Sequence, residues 1–292
     1  MRVIVVTAAL LSAALLPACT VGRVQINRPA RAALPPVTAV LDCLQRNNLA
    51  LVAARNGRRG PQEAESSLES FDRVNGIGPV MIETGVAASA DGVLMLIADP
   101  VLQRTTTGNG PVAGKSYPEL RRLFLKDGRG RVAEERMPTL EEGLLWAKRN
   151  GAYLMLRPVA GVPVARLVAD VRTAGMQNQV ILVADSAGNA AAMLRADAAI
   201  LVAARARSAA DIAALRAASS RRLAVVLSPA ASGLAVQARQ AGLIVVQESP
   251  ATTANAGGAA LAPAGAALIL SDWPAAAWQA LKSAGRDGQR CL

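Results

Sequence analysis

Arg55, Glu83, Asp99 and Arg157 each lie at or just past the C-terminal end of a short apolar run, in LVAAR, VMIE, LMLIAD and LMLR. The planar fork of a guanidinium matches the oxygens of a phosphate or carboxylate. Arg55 and Arg157 are therefore candidates for anion binding, with Glu83 as the obvious counter-charge. The same three residues admit a second reading, a salt bridge that only fills the space between the elements carrying them. The carboxylates available for acid–base work are Glu65, Glu83, Asp99 and Asp185, because the chain contains no histidine. An imidazole general acid or base is excluded. Arg58 and Arg59 follow in the same loop as Arg55 and read as solvated charges, and Asp185 reads as a helix N-cap.

Apolar runs recur at 49–54, 80–82, 93–97, 153–156, 180–183, 198–202, 223–227, 243–246 and 267–270. Each is short and continuous, as expected of strands buried on both faces. Between most of them lie helical patterns, at 140–148, 164–174, 210–218 and 233–241. Strands alternating with helices predict a parallel α/β fold, and the length suits one (β/α)8 TIM barrel of about 250 residues. Nine runs compete for eight places, and one of 198–202 and 223–227 is the expected surplus. The link from Gly85 to Gly92 is too short for a helix, so the barrel is slightly irregular between its second and third strands. Thr38 is placed to cap a first helix with Val40, Leu41 and Leu44 on its apolar face. Glu141 and Glu142 open a later helix at its positive end. Residues 251–266, rich in Ala and Gly, read as a low-complexity connection. Trp273, beside the last strand, reads as closing the barrel. In such a barrel the C-terminal strand ends carry the active site, which is where Arg55, Glu83, Asp99 and Arg157 fall.

The 292 residues are 52% hydrophobic but only 2% aromatic, so the core must be built from Ala, Val and Leu. The formal charge of +11 comes almost wholly from arginines scattered along the chain. Nucleic-acid binding is not expected, since stacking platforms need aromatics. Residues 1–18 read as a signal peptide, with Arg2 ahead of an apolar run from Val3 to Leu16 that is too short for a comfortable membrane span. Leu16-Pro17-Ala18-Cys19 resembles a bacterial lipobox, which makes Cys19 the lipidated first residue of an exported protein, in the periplasm or at the cell surface. Ordinary signal cleavage is the alternative. Residues 19–37 then form a tether and 38–292 the barrel. Outside the cytoplasm the other two cysteines, Cys43 and Cys291, are candidates for a disulfide, since the two ends of a closed barrel are neighbours. Two free thiols are the alternative.

Several motifs share one frame. Asp99-Pro100-x-Leu102-x-Arg104-Thr105-Thr106-x-Gly108-x-Gly110-Pro111-Val112 is followed by Tyr117-Pro118-Glu119-Leu120 and then Pro138-Thr139-Leu140-Glu141-Glu142. Ala90-Asp91-Gly92-Val93 precedes them, and Leu268-Ile269-Leu270-Ser271-Asp272-x-Pro274 closes the chain. In order and spacing these resemble the glycerophosphodiester phosphodiesterases, which are phospholipase C-like barrels, over about residues 49–275. The resemblance implies diester cleavage in a barrel mouth by two histidines. It also implies a divalent cation held by Glu-x-Asp and a later acidic residue, and an arginine on the phosphate. The histidine positions are Ala54 and Ala98. The Glu-x-Asp position is Glu83-Thr84-Gly85, with one ligand kept, and the later acidic-x-Lys position is Met155-Leu156-Arg157. Arg55 is the retained arginine, and Glu65 lies in the element that resembles Pro-Glu-Asn-Thr.

These departures lead to the expectation of a tethered pseudoenzyme that binds a phosphate-containing or other anionic envelope ligand, or acts as a scaffold for an envelope protein. No cofactor is expected. The alternative is an active phosphoric diester hydrolase with relocated catalytic groups, and only then would Mg²⁺ or Ca²⁺ be needed.

Overall fold

The computed structural model describes residues 34–159, 161–218, 223–249, 252–261 and 263–292. The signal-like segment 1–18, Cys19 and the tether up to residue 33 lie outside the described residues. Eight strands form the barrel: β1 (Leu51–Ala54), β2 (Val80–Ala88), β3 (Leu154–Pro158), β4 (Val180–Ala184), β5 (Leu201–Ala206), β6 (Leu223–Leu227), β7 (Ile244–Glu248) and β8 (Leu268–Ser271). Each pairs in parallel with the next, and β1 closes the ring on β8 with Leu51 opposite Leu268. The strands are Val-, Leu-, Ile- and Ala-rich and almost entirely buried, because helices cover the outside and side chains fill the inside.

Both 198–202 and 223–227 belong to the barrel, as β5 and β6. The surplus run is the third one. Leu94–Leu96 returns antiparallel along β2, with Leu96 opposite Val86 and Leu94 opposite Ala88. A parallel return needs a crossover of a dozen or more residues, so the link at Ser89–Val93 can only make a hairpin. Gly92 supplies φ +81° at its tip, and Val93 N–H donates to Ser89 Oγ at 2.8 Å. The β2–β3 connection therefore carries this arm, a long loop, a two-stranded ribbon (Phe124–Lys126 with Val132–Arg136) and the helix Leu140–Asn150. Thr139 and Glu142 cap that helix reciprocally, and Gly151 ends it in the left-handed conformation. A second apolar cluster, with Met95, Ile97, Leu102, Leu120, Leu125 and Met137, holds the insertion onto the barrel.

The first helix is Val37–Arg46, two residues earlier than Thr38 capping implies, and Pro36 stands at its N-cap. Its buried face is Val37, Val40, Leu41 and Leu44. The preceding residues already lie against the barrel: Tyr153 Oη donates to Pro35 O at 2.6 Å, and Val37 N–H to Asn178 O at 2.7 Å. A disulfide joins Cys43 on this helix to Cys291, with Cα atoms 5.8 Å apart. Within 251–266, Gly258–Leu261 forms one helical turn. Among the described residues no helix is long and apolar enough to cross a membrane.

Candidate functional site

The C-terminal ends of the strands surround a cleft of about 450 Å³. Its walls include Arg55, Glu83, Arg157, Asp185, Arg205 and Arg207. Local folding puts them there. Arg55 leads a tight turn after β1 in which Asn56 adopts φ +53° and Gly57 φ +64°. A side chain at Gly57 would collide with the Phe71 ring 2.1 Å from its Cβ, so only glycine lets this turn close. Glu83 projects from the middle of β2, and Arg157 and Arg205 from the ends of β3 and β5.

A chain of alternating charges runs round one side of the mouth. Arg205 donates to Glu248 Oε1 at 2.6 Å, and Arg55 reaches the same oxygen at 3.5 Å. Arg55 Nε lies 3.3 Å from Asp272, which also faces Arg58 at 3.7 Å. Arg58 pairs with Glu65 at 2.9 Å. Arg104 grips both oxygens of Glu65, at 2.8 and 2.6 Å, and extends to Asp99. The hydrogen bonds that Arg104 donates to Glu65, with help from Asp99, raise its guanidinium pKa above its ordinary value. Glu65 is 3% exposed. A carboxylate so buried requires such a fork.

Glu83 and Arg157 stand apart from this chain. Glu83, 2% exposed, accepts from Arg157 Nε at 3.0 Å and from Asn56 N–H at 2.9 Å. Arg157 Nη2 donates to Ala98 O at 3.2 Å.

The structure brings Arg55, Glu83 and Arg157 to one cleft but does not join all three in a salt bridge. Arg55 pairs with Glu248 and Asp272 instead. Asp99 and Glu65 lie together on Arg104, away from the cleft lining. Ala54 and Ala98 are both buried. Arg58 is not a solvated charge, because its side chain is 13% exposed and ion-paired. Asp185 is not an N-cap. Ser186 caps the helix Ala187–Ala196, and Asp185 lines the cleft, accepting from Asn189 Nδ2 at 3.3 Å. Trp273 packs beside Gly60 in the first loop and against the barrel core. Arg205 and Glu248 were missed, although AAR in β5 and VQE in β7 carry the same signal that picks out Arg55 and Glu83, a charge ending an apolar run.

The divalent cation implied by the family motifs finds no matching donor set. Both Glu83 oxygens are engaged. At Gly85 an added Cβ would sit 2.1 Å from Ile97 O, so the hairpin arm occupies the space of a second carboxylate. Among the described residues no three His, Cys, Asp or Glu side chains cluster to hold an ion.

A family model for the glycerophosphoryl diester phosphodiesterase family matches residues 54–247. The fold is similar to a glycerophosphoryl diester phosphodiesterase from Parabacteroides distasonis, with a TM-score of 0.76 and 20% identity over 86% of this chain and 93% of that one. A protein from Silicibacter pomeroyi described as a glycerophosphoryl diester phosphodiesterase gives 0.72 and 20% over 85% and 99%. An Oleispira antarctica phosphodiesterase, solved with its product sn-glycerol-3-phosphate, gives 0.65 and 21% over 82% and 99%. No curated protein matches the sequence.

Proposed function

This chain belongs to the glycerophosphoryl diester phosphodiesterase family, and we propose that it is a member without catalysis, holding a phosphate-containing or other anionic envelope ligand in its barrel mouth. The observation that carries this reading is the commitment of the mouth carboxylates. Glu65, Glu83, Asp99, Glu248 and Asp272 each neutralise an arginine. A general acid or base must exchange a proton with the reacting group, and here each exchange would break an ion pair. No histidine replaces them. What the mouth offers is guanidinium groups facing a cleft, the chemistry of phosphate recognition. A phosphate ester is the natural first probe, given the sn-glycerol-3-phosphate bound by the Oleispira phosphodiesterase.

The hydrolase alternative has one observation in its favour. Asp185 lines the cleft and makes no ion pair among the described residues. Glycerophosphodiesters incubated with the full-length protein and Mg²⁺, Ca²⁺ or Mn²⁺ decide between the two. We expect no release of glycerol 3-phosphate and calorimetric binding of the ester that weakens in Arg55→Ala. Turnover abolished by Asp185→Asn would overturn the reading. The proposed anchor is lipid on Cys19, so Cys19→Ser is expected to move the protein from the membrane fraction to the soluble one.

A further inference from the structure

The geometry points to Arg157 as a built-in replacement for the divalent cation, so that the mouth takes its anionic ligand without metal and refuses the ion. This rests on the mouth being an anion-binding cleft, and deepens that reading by naming a guanidinium that meets the anion. Three observations converge. Arg157 is held at two points, Nε on Glu83 at 3.0 Å and Nη2 on Ala98 O at 3.2 Å, while its outer edge lines the cleft. Each Glu83 oxygen already has a donor, since the second one accepts the Asn56 N–H at 2.9 Å. The backbone at Ile97, whose N–H donates to Gly85 O at 3.0 Å, closes over the position where a second carboxylate would have to stand.

An incoming dication would have to displace the guanidinium from a nearly buried carboxylate and then sit beside it, like charge against like charge. In return it would gain one carboxylate, whereas calcium takes about 6–8 oxygen ligands. The fixed guanidinium presents N–H donors to an anion with no such requirement.

The test uses the full-length protein in detergent and has two arms. In the first, Ca²⁺, Mg²⁺ and Mn²⁺ are titrated calorimetrically, and thermal unfolding is followed at matched ionic strength. No saturable binding and no stabilisation are expected. Saturable binding that disappears in Glu83→Gln would overturn the inference whatever the anion does. In the second, inorganic phosphate and glycerol 3-phosphate are titrated with and without EDTA. The affinity is expected to be unchanged by EDTA, and to fall about tenfold in Arg157→Gln with no recovery on adding Ca²⁺. Loss of anion binding in EDTA, or rescue of the variant by Ca²⁺, would also overturn it. If neither anion binds the wild-type protein, the anion-cleft reading fails and Arg157 loses its role as the ligand's cation. The first arm then still reports separately whether the mouth refuses metal.

Discussion

Glu83→Ala separates a structural carboxylate from a catalytic one. The wild-type side chain is 2% exposed and holds Arg157 and the Asn56 N–H. Removing one partner of a buried pair costs about 3–5 kcal/mol. Arg157 is 26% exposed and can recover part of its hydration, which places the loss near the lower end, at about 3 kcal/mol. At about 2–4 °C per kcal/mol for a domain near this size, the melting temperature should fall by about 6–12 °C. Glu83→Gln keeps an acceptor for the Asn56 N–H and loses only the charge, so its drop should be smaller. Circular dichroism during heating, backed by urea midpoints, reads both variants. A carboxylate kept for catalysis behaves differently, because active-site groups are often held at a cost to stability and their removal is neutral or stabilising. A melting temperature unchanged or raised in Glu83→Ala would refute the structural assignment and return Glu83 to the list of candidate catalytic groups.

Reduction of Cys43–Cys291, or Cys291→Ser, should destabilise the barrel. The cysteines are 248 residues apart, and the chain-entropy model gives about 5.5 kcal/mol for a loop of that length, with measured losses for native disulfides of about 2–5; an unchanged urea midpoint in reducing agent would refute the staple. Gly85→Ala places a methyl 2.1 Å from the Ile97 carbonyl oxygen, a backbone atom that cannot rotate away. We expect a loss of about 1–3 kcal/mol, read from the urea midpoint. Burial pushes the Tyr153 phenol up to about 12. Its neutral form is favoured by folding, so the contribution is complete below pH about 10 and is lost as the pH rises through about 12, worth about 2–3 kcal/mol. Tyr153→Phe should flatten that alkaline limb in melts recorded between pH 9 and 12.

The strand order of the barrel was legible because each buried strand is a bare apolar run and helical patterns lie between most of them. The one misplaced run shows the limit of that signal. Leu94–Leu96 is as apolar as a barrel strand, since it too is covered on both faces, and periodicity carries no sign of direction. Loop length does, and the short link after β2 permitted only an antiparallel return. In the mouth, position along the chain identified Arg55, Glu83 and Arg157 as neighbours and Glu83 as the partner of Arg157, but not the partners of Arg55. Pairing depends on reach across the barrel, and Glu248 is brought beside Arg55 by the register of β7, β8 and β1. Arg58 read as exposed because a loop arginine usually is. Its burial follows from Glu65, whose own burial is set by the fold of the insertion over the first loop.

The pattern of pairing also bounds how tightly an anion can be held. From Arg205 to Asp99 the chain of charges holds four arginines and four carboxylates, so it has no net charge. Glu83 and Arg157 cancel as well. Arg207, which makes no ion pair among the described residues, is balanced by Asp185 on the same lining. An anion must therefore share guanidinium edges with carboxylates already in place, rather than meet an unmatched positive field. That arrangement favours recognition by geometry over attraction at a distance, since long-range steering needs unbalanced charge. A phosphate ester bound in this way should be held weakly. Its affinity should depend more on Arg157 and Arg205, whose positions are fixed by their partners, than on the exposed Arg207. Exposed charges are screened by salt and partly buried ones much less. Raising the salt concentration should accordingly erase the effect of Arg207→Ala on binding and leave that of Arg157→Gln in place.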